Sequence, residues 1–132
     1  MMMTKSPSGA LSPYYYKGGY FHGIHYGSYF TDSKSLFDMM QKEEAFILKS
    51  QQKRRILIDL YETELTQQVL VMLESHLMKL KNSIIKLAIA TDGKSLKKLR
   101  KMVKQSKNLQ EICCYFCTDM EEGKTWLVSD TN

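Results

Sequence analysis

Three cysteines lie within five residues, at Cys113, Cys114 and Cys117, and Cys114-x-x-Cys117 has the spacing of a redox or metal-binding pair. The flanking Ile112, Tyr115 and Phe116 read as a strand, in which neighbouring side chains alternate faces. Positions three apart then point in opposite directions, so the two thiols cannot share one ion. No second Cys pair or nearby His completes a zinc set. The thiols are expected to be buried small hydrophobes, and neither a metal nor a cofactor is expected.

The histidines give no better chemistry. His22 and His25 are three apart in an expected strand and should face opposite sides. His76 falls on an apolar helical stripe, where a hydrogen-bonded core role fits better than catalysis. Thr91-Asp92-Gly93-Lys94-Ser95 lacks the long Gly-rich spacing that a phosphate loop places before its Lys. With no nucleophile–base pair and no placed pair of carboxylates, catalysis is not expected.

Charge is more informative. Lys94, Lys97, Lys98, Arg100, Lys101, Lys104 and Lys107 are seven basic residues with no acid among them. They exceed the net charge of +5 for the whole chain, so one helix makes the protein basic. Such a helix is either a solvated outer face or a surface for an anionic partner, with Lys97, Lys98, Arg100, Lys101 and Lys104 as the binding residues. An acidic protein face or a membrane surface suits it. Nucleic acid suits it least, since no recognised binding module accompanies the helix.

The elements that must position these residues follow from periodicity. Tyr14 to Tyr16 and Tyr20 to His22 flank Gly18-Gly19 and read as a hairpin, whose second strand extends towards Tyr29 with close backbone contact or a bulge at Gly23 and Gly27. Thr31-Asp32-Ser33 caps a helix carrying Leu36, Phe37, Met40, Glu44, Ile47 and Leu48 and ending near Ser50. Arg54 to Leu60 suits a central strand buried on both faces. Leu65, Val69, Met72, Leu73, His76, Leu77 and Leu80 form the clearest amphipathic stripe. A strand at Ile84–Ala90, a helix marked by Leu96, Leu99, Met102 and Val103, and a strand at Glu111–Cys117 follow. Thr118-Asp119-Met120-Glu121 is a capping-box pattern that opens a short last helix with Trp126 and Leu127. From Arg54 onward strands and helices alternate, so the three strands should be parallel neighbours, with the aromatic hairpin adding an antiparallel component to a mixed sheet.

At 132 residues, 43% hydrophobic and 25% charged, the chain suits a single α/β domain over 13–130 behind a loose tail at 1–12. The first ten residues contain no apolar run of the kind a secretory leader needs. Leu65 to Leu80, the most apolar long stretch, is interrupted by Gln67, Gln68, Glu74, His76 and Lys79. No transmembrane segment and a cytoplasmic location are therefore expected.

Ile56-Leu57-Ile58-Asp59-Leu60 followed by Glu62-Thr63 and Leu65-Thr66 resembles bacterial SpoIIAA-like (STAS-like) proteins. So do Lys86 to Asp92 before a basic helix, and Tyr115-Phe116 followed by Asp119 to Leu127. The resemblance covers about residues 20–128 and implies a mixed sheet with helices packed on it, built for regulation or ligand binding. Related anti-sigma-factor antagonists carry a phosphorylatable Ser in an Asp-Ser motif where the helix after the central strand begins. This sequence has Glu64-Leu65-Thr66-Gln67 there, so Thr66, or Thr63 in its place, is the candidate acceptor. The wider superfamily includes lipid carriers, which keeps a small hydrophobic ligand open.

In an open α/β sheet, ligands bind beyond the carboxyl ends of parallel strands. That edge carries Asp59, Thr63 and Thr66 after one strand, and Asp92, Lys94 and Ser95 after the next. Helix N-termini there suit an anion, although Thr63 or Thr66, Asp92 and Thr118 also suit plain helix caps. The expected role is a non-enzymatic regulatory or protein-interaction module, switched by a ligand or by phosphorylation. The alternative is a carrier or sensor of a small apolar or anionic ligand, such as a lipid or nucleotide.

Overall fold

Alternating apolar runs and amphipathic stripes build a layered α/β unit in the computed structural model, which describes residues 4–130. In chain order its elements are β1 (Thr4–Lys5), β2 (Leu11–Ser12), β3 (Tyr14–Tyr16), β4 (Gly19–His25), α1 (Ser33–Leu48), β5 (Arg54–Asp59), α2 (Gln67–Leu80), β6 (Ile84–Ala90), α3 (Gly93–Lys104), β7 (Cys114–Cys117) and α4 (Met120–Val128). Short 3-10 turns occupy Lys81–Ser83 and Leu109–Glu111. No helix among the described residues is long and apolar enough to cross a membrane.

Five strands form one sheet in the order β3-β4-β5-β6-β7. Neighbours from β4 to β7 are parallel, because a helical crossover separates each pair. The expected parallel set of β5, β6 and β7 is therefore present. β3 joins antiparallel through a two-residue loop in which Lys17 (φ 44°) and Gly18 (φ 90°) are both left-handed, the geometry that matches the twist of a hairpin.

Strand alternation divides the core. Ile56, Ile58, Leu87 and Ile89 face α1, α2 and α3, and meet Leu36, Met40, Val69, Leu73, Leu77 and Leu99. Each such buried side chain contributes roughly 1.5–3 kcal/mol relative to exposure. Leu57 and Ala88 face the other way, where Phe21, Leu127 and Val128 complete a much smaller cluster. One nine-residue helix covers that second face, against three on the first.

The structure departs from the sequence expectation in several places; the second hairpin strand, for one, ends at His25, short of Tyr29. Residues 4–12, expected as a loose tail, form a β1–β2 hairpin with Ser6 and Ser12 buried; residues 1–3 lie outside the described residues. Its hydroxyls serve the edge of β4 that β3 leaves unpaired: Ser6 Oγ donates to the Gly23 carbonyl (3.2 Å), and the His25 N–H donates to Ser8 Oγ (3.0 Å). On α1 the buried stripe is Leu36, Met40, Glu43 and Ile47, whereas Leu48 is exposed. The last strand begins at Cys114, since Leu109–Glu111 turns as a 3-10 segment first. Asp119 rather than Thr118 caps α4, accepting from the Glu121 N–H at 3.0 Å. At Gly27, close backbone contact is present as expected: a Cβ there would lie 2.5 Å from Asp59 Oδ1 and 2.7 Å from the Tyr61 carbonyl oxygen.

Candidate functional site

α2 starts directly after the central strand, and Thr66 caps it, its hydroxyl accepting from the Val69 N–H at 3.2 Å. α3 packs beside α2 through its apolar side and turns its basic side outward. Between the two helices runs an open groove of about 580 Å3, lined by Leu65, Thr66, Leu70, Val71 and Glu74 from the α2 side and by Lys98, Lys101, Met102 and Gln105 from α3. Two sets of sequence candidates thus converge: the acceptor position at the helix start and two cations of the basic helix. Lys98 Nζ donates to the Leu65 carbonyl (3.2 Å), which holds its charge one residue from Thr66.

The groove has Leu65, Leu70, Val71 and Met102 along its floor, Lys98 and Lys101 on the α3 wall and one carboxylate, Glu74, on the α2 wall. Leu70 and Met102 are half-buried and Val71 is 52% exposed, a degree unusual for a helix residue with a packing role. Among the described residues, no α3 cation is in an ion pair. Lys97, Arg100 and Lys104 point away from the groove, with Lys101 between, and line a second open surface beside Phe116.

The remaining strand-end candidates do not join this site. Thr63 is buried and structural: its hydroxyl donates to the Tyr26 carbonyl (2.6 Å) and accepts from the Tyr29 N–H (3.2 Å), tying two loops together. Modification of Thr63 would break that tie; of the two threonines only Thr66 is exposed. Asp92 caps α3, accepting from Ser95 N–H (2.8 Å) and Ser95 Oγ (3.1 Å). The backbone bond from Ser95 holds its carboxyl below the ordinary range. Ser95 is buried and Lys94 is exposed. Asp59 turns instead to His25, both carboxylate oxygens lying 2.9 Å from His25 Nδ1.

Sequence reading missed a pattern in the histidines, for each of the three meets a carboxylate. His22 and Glu43 are both fully buried and joined Nε2 to Oε1 at 3.0 Å, and the Ser12 hydroxyl sits on His22 Nδ1. His76, buried as expected, bridges the Tyr26 hydroxyl (2.7 Å) and Glu44 Oε2 (2.6 Å). The partners are 21 to 34 residues apart in the chain, so no spacing motif announces them. One signal was available: two adjacent glutamates on the apolar side of α1.

The thiols fall on opposite faces of β7. Cys114 packs against the larger core, and Cys117 sits where a Cβ on Gly123 of α4 would come within 3.0 Å of its sulfur. Burial pushes the Cys114 thiol up to about 11 and raises that of Cys117 as well. Cys113 is exposed. Titration of the native protein with a disulfide reagent near pH 7.5 should show one fast thiol, lost in Cys113→Ser, and two that react only on unfolding. Three equally fast thiols would contradict this packing.

No family model matches the sequence, and comparison with curated proteins and with solved structures likewise finds no match.

Proposed function

We propose that this chain is a non-enzymatic regulatory module of the SpoIIAA-like kind, acting in the cytoplasm, that docks an acidic amphipathic segment of a partner protein in the α2–α3 groove. The observation that carries the reading is the groove itself: exposed Val71 and half-buried Leu70 and Met102 beside Lys98 and Lys101, two cations against the single carboxylate of Glu74 and neither in an ion pair among the described residues. An apolar floor supplies affinity, and a cationic wall selects an acidic occupant and speeds its approach. The order of elements, with a helix following the central strand and a basic helix following the next, supports the resemblance noted in the sequence.

Thr66 is the switch position in this reading. It is exposed at the groove end, and α2 presents free N–H groups and a positive dipole end there, which tolerate a phosphate. A phosphate adds ~−1.5 to −2 charge beside Lys98 and Lys101, neutralising the wall that attracts the partner. Phosphorylation therefore releases the acidic segment.

Capture from the native host with wild-type protein should retain an acidic partner at low salt and lose it as salt rises. Lys98→Glu combined with Lys101→Glu should abolish retention, while Lys34→Glu on α1 leaves it intact. Thr66→Asp should weaken retention and Thr66→Asn should not, since both side chains cap a helix and only one is charged. Equal retention by the wild type and the double charge reversal would refute the proposal.

A further inference from the structure

The second face of the sheet is short of cover. α4 reaches Leu57 and Ala88 but leaves the carboxyl ends of β4 and β5 open, and the β1–β2 hairpin closes over them from the side. Between them lies an open pocket of about 240 Å3 walled mainly by Leu11, Tyr14, Phe21, Leu57 and Met120. His25, Asp59 and Lys124 are its polar groups. The pocket is on the side of the sheet away from the α2–α3 groove, so its role is independent of the docking reading.

The polar end is built rather than incidental. Asp59 is buried at the end of β5, and the absent side chain of Gly27 is what leaves room for its carboxylate. That carboxylate straddles His25 Nδ1, with both oxygens at 2.9 Å, and so places the proton of the neutral ring on Nδ1. In the neutral ring Nε2 is then a lone-pair acceptor; it has no protein partner among the described residues, and the His25 side chain is 52% exposed, so a bound O–H would take the place of water there.

We infer that this pocket binds a small apolar molecule bearing one hydroxyl, a simple phenol by class, whose O–H donates to His25 Nε2. The volume is below the ~300–1,000 Å3 of drug-sized sites and suits one ring with small substituents. Aromatic and thioether walls from Tyr14, Phe21 and Met120 suit a ring face and edge. An anion is disfavoured, because Asp59 presents its own negative charge and Lys124 is already paired with Glu121 at 3.1 Å. A cation is disfavoured as well, since the apolar walls strip its water while Asp59 is engaged with the His25 ring.

The test titrates 15N-labelled protein separately with phenol, toluene and benzoate, following backbone amides and the imidazole nitrogens. Phenol should shift the amides at the ends of β4 and β5, move His25 Nε2, and bind about tenfold tighter than toluene, the worth of one satisfied hydrogen bond. His25→Phe should bind phenol and toluene alike. The wild-type Nε2 response decides the matter even if that variant folds poorly. Equal binding of phenol and toluene to the wild type, an unmoved Nε2, or benzoate binding tightest would overturn the inference. If phenol binds as expected while charge reversal on α3 leaves partner capture intact, the groove proposal alone fails.

Discussion

Glu43→Ala is expected to destabilise the protein by about 3–5 kcal/mol, since it leaves three donors without their acceptor at roughly 1–3 kcal/mol for each that is buried. Glu43 has no exposed surface, yet its carboxylate serves three donors: His22 Nε2 at 3.0 Å, the Ser8 N–H at 3.0 Å and the Ser8 hydroxyl at 2.6 Å. Burial pushes the Glu43 carboxyl up, but the hydrogen bonds from His22 and Ser8 outweigh it, and the group is held below its ordinary value. Alanine leaves the buried His22 donor and the two half-buried Ser8 donors without an acceptor. It also strips the nearest counter-charge from Arg54, whose guanidinium lies over the Phe46 ring and whose Nε has no partner among the described residues. Glu43→Gln retains an acceptor and should lose less than half as much. Urea unfolding gives the magnitudes, and native-state amide exchange should show residues 4–12 opening first, because Ser8 is the clasp of the β1–β2 hairpin. A loss under 1 kcal/mol, or a hairpin as protected as before, would mean that the Glu43 cluster does not hold the N-terminal segment.

Stability should also fall on acidification, beginning below neutrality. Burial holds His76 below its ordinary value of 6.5, and the hydrogen bond and charge of Glu44 offset that only in part. The folded chain thus binds fewer protons at His76 than the unfolded chain does between 6.5 and the folded pKa. The associated stability is complete above that window and is lost as pH falls through it. Glu43 adds a second loss of the same sign, present above 4.5 and removed as pH drops through its depressed value. One proton taken up on unfolding corresponds to a slope of about 1.4 kcal/mol per pH unit. Urea midpoints from pH 7.5 to 5 should fall for the wild type, and His76→Gln, less stable at pH 7.5, should lose much of the slope between 6.5 and 5. A wild-type slope retained in full by His76→Gln would place the titration elsewhere.

The parts of this fold that were legible in the sequence are those that bury apolar side chains with a regular period. β5 is a short aliphatic run bounded by charge, β6 is an aliphatic run interrupted by Lys86 alone, and the α2 stripe of Val69, Leu73, His76, Leu77 and Leu80 is buried as the spacing required. The β1–β2 hairpin was not legible, because serine side chains bonded to β4, rather than apolar pairs, hold it in place. On α1, Glu43 falls within the stripe of Leu36, Met40 and Ile47 and Glu44 beside it, but a carboxylate is buried only where donors meet it, and periodicity does not show those donors. What decides is His22, brought from β4 by the sheet register. At the site, the basic helix and Thr66 were visible one by one, whereas their shared groove depends on how α2 and α3 pack. Asp59 is legible as a strand-end residue, but its partner His25 comes from a neighbouring strand whose parallel pairing with β5 no local pattern specifies.

The central claim is that the partner occupies the α2–α3 groove. Amide hydrogen exchange of the chain with and without its captured acidic partner measures this directly. Slowed exchange on residues 65–74 and 98–105, reversed in the Thr66→Asp variant, is the expected result. Slowed exchange confined to β3, β4 or α4, with α2 and α3 unchanged, would contradict the account.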